Sequence, residues 1–315
     1  GAASMGFLAM AGVQYYCGTT EFVYGGIAGM ASAPVGTMLT LFLLGFLGFG
    51  VKAAIFPLHG WLPTASVAPT PVTALLHAVA VVKAGVFAVA RLAYFAFGAE
   101  LLRGTWAQTV CLAISPFTIV FGSTMAVREQ HLKRRLAYST CSNLSYVLFG
   151  VLLMTPEGLT AGLMHMVYHA LMKISLFSCV GAIMVKTGKA YVQDIRGFAK
   201  RMPFIIAVFT FCSIELVGIP PFIGFQSKWA LATAGLHSGS VMGIVGLCAL
   251  LISAILTAIY LLMPSLTAYF TPLNENDGLE NRSYDPGWQM KVPLLILCIA
   301  MLVLAFCSQP LANFL

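Results

Sequence analysis

The sequence has little charge for its length. Of its 315 residues, 9% are charged and 59% are hydrophobic, and the mean hydropathy is +0.91. A soluble chain is about a quarter charged, so the few charged side chains present here cannot cover a surface of this size in water. The composition excludes a secreted disulfide scaffold, a disordered tail and a nucleic-acid binder, and it predicts a membrane protein.

Motifs that would hold a cofactor are missing. The eight cysteines are single and scattered, mostly within apolar stretches, and no C-x-x-C pair occurs. Cysteines of this kind fill cores, so we expect no iron–sulfur cluster or zinc site. We also expect no nucleotide or flavin site in this chain. The chain begins at Gly1 with apolar residues and no positively charged leader. We therefore expect no signal peptide, and we expect this sequence to be the later part of a longer protein.

Long apolar runs are what the sequence has instead. A helix that crosses about 30 Å of hydrocarbon needs about 20 apolar residues, and about nine such runs occur. Because backbone groups in lipid must be paired within the segment, long unpatterned runs predict helices. We predict an all-α polytopic membrane protein of about nine transmembrane helices. The runs cover residues 1–16, 36–58, 72–98, 107–127, 136–154, 160–185, 204–234, 241–270 and 292–308.

Basic residues cluster in two loops that are separated by two of these runs. Loops separated by two spans lie on the same side of the membrane, and loops rich in lysine and arginine are cytoplasmic. The net charge of +7 therefore fits orientation signals and needs no polyanionic partner. The loop of residues 271–291 falls on the same side. The basic residues of the two loops are Arg128, Lys133, Arg134 and Arg135, and Lys186, Lys189, Arg196, Lys200 and Arg201.

Ionisable side chains within the apolar runs are costly unless they face a polar interior. Lys83 and Lys173 lie mid-span. Lys173 is separated from a membrane surface by about 18 Å of helix, which is beyond the reach of a lysine side chain. Lys52 and Lys228 lie nearer the ends of their runs, where snorkelling to the surface remains an alternative. Glu215 is the one acid deep in a run and is a candidate counter-charge for a lysine.

Three titratable residues share one face of a single run. His165, His169 and Lys173 follow at intervals of four, which predicts a polar stripe along a helix. Hydrogen bonds between helices are the alternative role for such histidines. A metal or haem site is disfavoured because no partner cysteine, nearby carboxylate or matching histidine pair completes it. His77 precedes Lys83 by six residues, so the two face different ways, and we expect His77 to face a neighbouring helix.

Two stretches share the pattern Gly-Phe-x-x-Lys, at residues 48–52 and 224–228. Helix-weakening residues precede each, so each lysine is predicted to follow a break in a membrane helix. Broken helices in corresponding positions of two halves indicate an ion pathway, although chance similarity of so short a pattern is the alternative. The helix-weakening residues are Gly45 for the first stretch, and Gly218, Pro220 and Pro221 for the second.

Four segments together resemble a known family. In chain order they read VKAAIFPLHGWLPTASVAPTPVTALLHAVAVVKAG, LKRRLAYSTCSNLSY, HALMKISLF and GIPPFIGFQSK. They resemble the antiporter-like subunits shared by respiratory complex I, energy-converting membrane hydrogenases and multisubunit Na+/H+ antiporters, up to about Phe270. The resemblance implies about fourteen helices with two inverted five-helix repeats, each containing a broken helix that bears a charged residue.

The resemblance also implies how the chain is divided. Residues 1–106 would be the C-terminal part of the first repeat, residues 107–270 the second repeat, and residues 271–315 a loop and the final transmembrane helix. A glutamate that family members carry on an earlier helix, as the partner of the lysine at position 52, has no counterpart in this sequence. We expect this glutamate in a segment that precedes Gly1. The alternative is that the protein is a shortened relative with half a pathway.

A proton pathway is the site that the resemblance implies. Lys52 and Lys228 would be the two broken-helix lysines, and Lys83 and the stripe would link them along a hydrated axis. No catalytic residue, cofactor or metal ligand is expected in this chain. The complete set expected along the pathway is Lys52, His77, Lys83, His165, His169, Lys173, Glu215 and Lys228.

The function implied by the resemblance is translocation of protons or Na+ by a subunit of a redox-driven complex, with no redox or hydrolytic site of its own. Expected partners are other membrane subunits, a peripheral redox arm, the lipid bilayer and the ion, and not nucleic acid, in the cell (inner or plasma) membrane of a prokaryote. A subunit of a multisubunit Na+/H+ antiporter is the first alternative. An independent solute permease, or a membrane haem or quinone protein, is an alternative of another class.

Overall fold

The chain folds into helices, as predicted. The computed structural model describes residues 2–66, 68–272, 282–308 and 311, and this part of the chain has no strand beyond one isolated backbone bridge. The helices are α1 (Ala2–Cys17), α2 (Val35–Gly50), α3 (Trp61–Ala65), α4 (Thr70–Ala78), α5 (Val81–Arg91), α6 (Ala99–Leu102), α7 (Trp106–Arg128), α8 (Leu132–Leu152), α9 (Pro156–Thr187), α10 (Pro203–Val217), α11 (Ile223–His237), α12 (Val241–Phe270) and α13 (Trp288–Phe306).

Each predicted apolar run contains one helix or several consecutive helices. Within the described ranges, five helical segments are long and apolar enough to cross a membrane, and two shorter ones are also apolar. The polytopic membrane fold is thereby confirmed. The five segments are Thr70–Phe97, Trp106–Arg128, Pro156–Thr187, Val241–Phe270 and Trp288–Phe306, and the shorter two are Val35–Gly50 and Pro203–Val217.

Helix α8 is long enough to span but less apolar, because it carries three basic residues directly after its first residue, Leu132, and several hydroxyl side chains further on. Every residue from 139 to 152 is buried. The helix packs against α7 on one side and α9 on the other, with α5 and α12 also in contact. A polar helix is stable at membrane depth when it is enclosed by protein in this way, because its side chains find partners there instead of lipid.

The run at residues 204–234 is broken, as predicted. Helix α10 ends at Val217, Gly218 adopts a left-handed φ of 88°, and α11 begins at Ile223. A left-handed residue ends a helix at little cost when it is glycine. Gly224 lies so close to α10 that a Cβ atom there would be 1.7 Å from the carbonyl oxygen of Glu215. Only glycine therefore lets α11 start against the end of α10.

The run at residues 36–58 is also broken, since α2 ends at Gly50 and the chain turns before α3. The run at residues 72–98 is not the single continuous helix that the sequence predicted. Between α4 and α5 the backbone N–H of Ala80 reaches back five residues to Leu75, with an N to O distance of 3.1 Å. Such wide turns interrupt a helix without glycine or proline, and a π-helix, Leu92–Phe97, follows α5.

The two basic loops meet on one face of the molecule. The backbone N–H of Leu132 donates to Ala190 at 2.9 Å, and that of Val192 donates to Gln130 at 2.9 Å. This confirms that the two loops share one side, which is called the basic face below. Of the loop at 271–291, residues 273–281 lie outside the described part. Asp285 lies on the basic face, where its carboxylate accepts hydrogen bonds from the first turn of α10.

Candidate ion pathway

Helix α9 carries the central part of the site. His165, His169 and Lys173 are each 0% exposed and lie along one face, as their spacing predicted. Helices α4, α8, α10 and α11 all pack against α9, so the stripe is enclosed by protein on several sides. Polar partners from these neighbours, and from α5 and α12, divide the stripe into three clusters.

Lys83 and His169 form the first cluster. The Nζ atom of Lys83 lies 3.0 Å from Nδ1 of His169 and donates to the carbonyl oxygen of His77 at 3.3 Å. That carbonyl lies next to the wide turn between α4 and α5, close to where the regular helical pattern is interrupted. A lysine ammonium can only donate, so His169 accepts at Nδ1 when Lys83 is charged. The pair can therefore share one proton.

His165 forms the second cluster with Asn143 and Ser227. Its Nε2 lies 3.2 Å from Oδ1 of Asn143, and its Nδ1 lies 2.9 Å from Oγ of Ser227. The amide of Asn143 is oriented by its Nδ2, which donates to the carbonyl of Ser139 at 2.8 Å. Because Oδ1 only accepts, Nε2 of His165 carries a hydrogen, and Ser227 donates to Nδ1 when the ring is neutral.

Lys173 forms the third cluster. Its Nζ donates to Oγ of Ser139 at 2.8 Å and to the carbonyl of Leu136 at 3.1 Å. Ser139 Oγ lies 2.6 Å from the hydroxyl of Tyr260 on α12. Both hydroxyl groups can donate and accept at once, so Lys173 is connected by hydrogen bonds to two different helices.

Lys228 lies at the helix break that the sequence predicted. Its Nζ donates to the carbonyls of Leu216 and Val217 at 2.6 and 3.0 Å, the last residues of α10. Carbonyls at a helix end lack helical donors and carry partial negative charge, which favours a cation there. The Nζ atom also lies 5.5 Å from the ring centre of Tyr146, which is 5.2 Å from the ring of His165. Lys228 therefore adjoins the second cluster.

Glu215 and His77 are buried but less connected. Glu215 is 0% exposed, and neither carboxylate oxygen has a hydrogen-bond partner among the described residues. Its role as counter-charge for a lysine stays a prediction. His77 is 0% exposed and stacks on Phe177 of α9 at 4.9 Å, so it faces a neighbouring helix as expected. Both its ring nitrogens lack a partner within the same described ranges.

Lys52 lies apart from the other seven residues. Its side chain is exposed, in the turn that follows α2. Its backbone packs against α5, where a Cβ atom on Gly85 would lie 2.6 Å from the carbonyl carbon of Lys52. In the described part of the chain, Lys52 therefore adjoins the helix of Lys83 through its main chain and does not join the row through its ammonium.

Sequence reasoning missed the uncharged members of the site. Ser139, Asn143 and Tyr146 are spaced by four and three residues on α8, which places them on one face, and this spacing was the signal available for them. Ser227 precedes Lys228 directly. Tyr260 is a tyrosine in the middle of an apolar helix, and its contact with Ser139 depends on packing between α8 and α12.

Comparison with known proteins gives a consistent result. A family model described as NADH:quinone oxidoreductase/Mrp antiporter, TM, matches residues 2–257. A curated relative, NADH-quinone oxidoreductase subunit N of Desulforudis audaxviator (strain MP104C), is 33% identical over 296 residues, which cover 90% of this chain and 57% of the relative.

Two solved structures share the fold. A chain of the Mrp complex from Dietzia sp. DQ12-45-1b aligns with a TM-score of 0.83 and 24% identity, covering 99% of this chain and 64% of that one. A chain of the membrane-bound sulfane sulfur reductase, an archaeal respiratory membrane complex, aligns with a TM-score of 0.83 and 26% identity, covering 99% and 61%.

This chain spans less than two thirds of the length of each of the three proteins. The resemblance that the four sequence segments indicated is confirmed. Since the family match runs over residues 2–257 and contains every member of the lysine and histidine row, the chain belongs to the NADH:quinone oxidoreductase/Mrp antiporter transmembrane family.

Proposed function

We propose that this chain translocates protons as a membrane subunit of a redox-driven complex. The observation that carries the proposal is the 3.0 Å contact between Lys83 and His169. The two lie in a row that continues to Lys173 on one side and to His165 and Lys228 on the other, and every member except the partly buried Lys228 is buried. Each member of this row can bind and release a proton.

Charge in this row is limited by its surroundings. Burial favours the neutral form of an amine or imidazole, and a nearby cation favours it further. No lysine or histidine of the row is ion-paired with a carboxylate among the described residues. The row therefore holds fewer protons than it has sites, so that a proton added at one end displaces one further along. The ring centres of His165 and His169 are 6.1 Å apart, a separation that one water molecule could bridge.

The names of the relatives support a proposal for the setting of this row. One relative is named as a subunit of NADH-quinone oxidoreductase, and one structural neighbour as a respiratory membrane complex. We propose for this chain other membrane subunits as neighbours in the lipid bilayer, a peripheral arm that carries out the redox reaction, and a place in the cell membrane of a prokaryote. The basic face would be cytoplasmic.

The proposed division of the chain follows the two helix breaks. Residues 1–106 contain the break that precedes Lys52, and residues 107–270 contain the break at Lys228, so each unit would be one repeat or the later part of one. Residues 271–315 would be a loop and a final helix. The Gly-Phe-x-x-Lys pattern at both breaks supports this division.

A subunit of a multisubunit Na+/H+ antiporter is the second candidate function. The observation in its favour is the TM-score of 0.83 with a chain of an Mrp complex. The same row of lysines and histidines would then carry protons in exchange for Na+. Acidification that follows a Na+ gradient, in the absence of any redox substrate, would support this candidate over the redox-driven one.

Three substitutions test the main proposal. Lys83→Ala, Lys173→Ala and Lys228→Ala in the assembled complex are each expected to abolish proton uptake into inverted membrane vesicles, measured with a pH-sensitive dye, while the redox reaction continues. Lys186→Ala is the control, because Lys186 is exposed on the basic face. Proton uptake at the wild-type rate in all three variants would contradict the proposal.

A further inference from the structure

A pocket opens on the basic face above the third cluster. Its volume is about 300 Å³. The chain between α7 and α8 contributes Gln130 to the wall, the segment after α9 contributes Val192, and α12 contributes Tyr260 and Thr267. Arg135 of α8 completes this part of the wall. The pocket therefore lies between the two basic loops and the end of α12.

Tyr260 joins this pocket to the buried row. It is 1% exposed, and its hydroxyl lies 2.6 Å from Oγ of Ser139, which accepts a hydrogen bond from Nζ of Lys173 at 2.8 Å. Two hydroxyl groups thus link the buried ammonium of Lys173 to Tyr260, a residue of the pocket wall. Each hydroxyl can accept a proton from one neighbour and donate its own to the next, so the chain can conduct in either direction.

Arg135 explains why Tyr260 is held in this position. Pro264 has no N–H, so the carbonyl of Tyr260 lacks its normal helical donor. One guanidinium nitrogen of Arg135 donates to that carbonyl at 3.0 Å, and the other two donate to the backbone carbonyls of Glu129 at 2.8 Å and Val127 at 3.3 Å. The side chain of Arg135, 6% exposed, therefore fixes α12 against the end of α7 and keeps the Tyr260 hydroxyl at Ser139.

We propose that Tyr260 and Ser139 are the proton connection between the basic face and Lys173. The inference rests on the proposed function and deepens it, because it gives the side from which this lysine exchanges protons. Lys173 then takes up or releases its proton at the basic face. Lys228, at the other end of the row, does not use this path.

Tyr260→Phe tests the connection by removing one oxygen atom and keeping the ring. In the assembled complex, the variant is expected to translocate protons at least about tenfold more slowly than the wild type, because proton transfer through a positioned hydroxyl is lost. Tyr168→Phe is the matched control. Tyr168 is equally buried, and its hydroxyl has no hydrogen-bond partner among the described residues, so its removal should leave the rate unchanged.

A pair of serine substitutions provides a second measurement should Tyr260→Phe fail to assemble. Ser139→Ala is expected to reduce proton translocation as Tyr260→Phe does, and Ser139→Thr, which keeps a hydroxyl, is expected to retain it. If Ser139 had only a structural role, the two variants would not differ in their rate of proton translocation. Wild-type rates in both Tyr260→Phe and Ser139→Ala, with Lys173→Ala inactive, would overturn the connection and leave the proposed function intact. Wild-type rates in Lys173→Ala as well would overturn the proposed function.

Discussion

Ser227 shows how one hydroxyl can serve both protonation states of a histidine. When His165 is neutral, Ser227 donates to its Nδ1 at 2.9 Å. When the ring carries two protons, Nδ1 becomes a donor, and Ser227 must accept. Its own hydrogen can then turn to the carbonyl of Ile223, 3.2 Å away on the same helix. His165 therefore keeps a partner whether or not it has bound a proton.

Removing this hydroxyl should slow translocation. Ser227→Ala leaves Nδ1 of His165 without a partner in both protonation states, and an unsatisfied buried group costs about 1–3 kcal/mol, or more when it is charged. We expect proton translocation to fall about tenfold or more, since about 1.4 kcal/mol corresponds to one factor of ten. The measurement is the initial rate of proton uptake by inverted vesicles that contain the assembled complex.

Two further variants make the Ser227 prediction specific. Ser227→Thr keeps the hydroxyl and should retain most of the rate. Ser213→Ala removes a buried hydroxyl that bonds the carbonyl of Phe209 in its own helix, and it should have no effect on the rate. Equal rates for Ser227→Ala and Ser213→Ala would show that the contact with His165 is packing only.

At the scale of elements, one arginine compensates for one proline. Pro264 has no N–H and therefore leaves one helical hydrogen bond of α12 unmade. Arg135 of α8 supplies the donor that the carbonyl of Tyr260 lacks. The side chain of Arg135 thereby links α8 to both α7 and α12. The contact could not be read from the sequence, where Arg135 is one of several basic loop residues.

A double-mutant cycle should detect this compensation. Arg135→Met removes the donors of three carbonyls, of which that of Tyr260 is buried and the other two are part-buried, and it should destabilise the protein by about 2–5 kcal/mol. Pro264→Ala restores a backbone N–H at the position that can bond Tyr260. The double variant should therefore lose about 1 kcal/mol less stability than the sum of the two single variants.

Thermal or denaturant unfolding of the detergent-solubilised protein provides the measurement for this cycle. Arg134→Met is the matched control, because Arg134 is the neighbouring residue and is exposed, and its loss should change stability little. Strict additivity of Arg135→Met and Pro264→Ala would show that the guanidinium contact with Tyr260 does not depend on the missing N–H.

At the scale of the whole molecule, the sequence predicted the features that hydrophobicity and charge determine. The apolar runs locate the helices, the basic residues place two loops on one face, and the spacing of four residues puts the stripe on one side of α9. The break between α4 and α5 was missed because residues 78–81 contain no glycine or proline. It depends on a wide turn at Ala80, and only the folded chain shows that Lys83 reaches back across it to the carbonyl of His77.

Partners that come from distant segments could not be predicted either. Lys173 and Tyr260 are brought together by the packing of α8 between α9 and α12, and no pattern within α12 indicates it. Uncharged side chains also give a weaker signal than lysines, because serine is common in membrane helices. The sequence therefore located the charged members of the row, while the structure supplied the hydroxyl and amide groups between them.

The orientation of the whole molecule can be tested by labelling from each side of the membrane. Loops on the basic face should be cytoplasmic, and the turn between α11 and α12 should lie on the opposite side, because α12 runs from one face to the other. A membrane-impermeant maleimide should label Lys186→Cys only in inverted vesicles and His237→Cys only in intact cells. Both positions are exposed.

The labelling background must first be removed. Alanine replaces the native cysteines that are exposed or partly exposed, which are Cys17, Cys248, Cys298 and Cys307. The cysteine-depleted protein without an added cysteine is the control and should not be labelled from either side. Labelling of both added cysteines from the same side would contradict the fold, whereas an exchange of the two sides would reverse the orientation. In the reversed case, Tyr260 and Ser139 would connect Lys173 to the outer surface, and the direction of the proposed proton path would change with it.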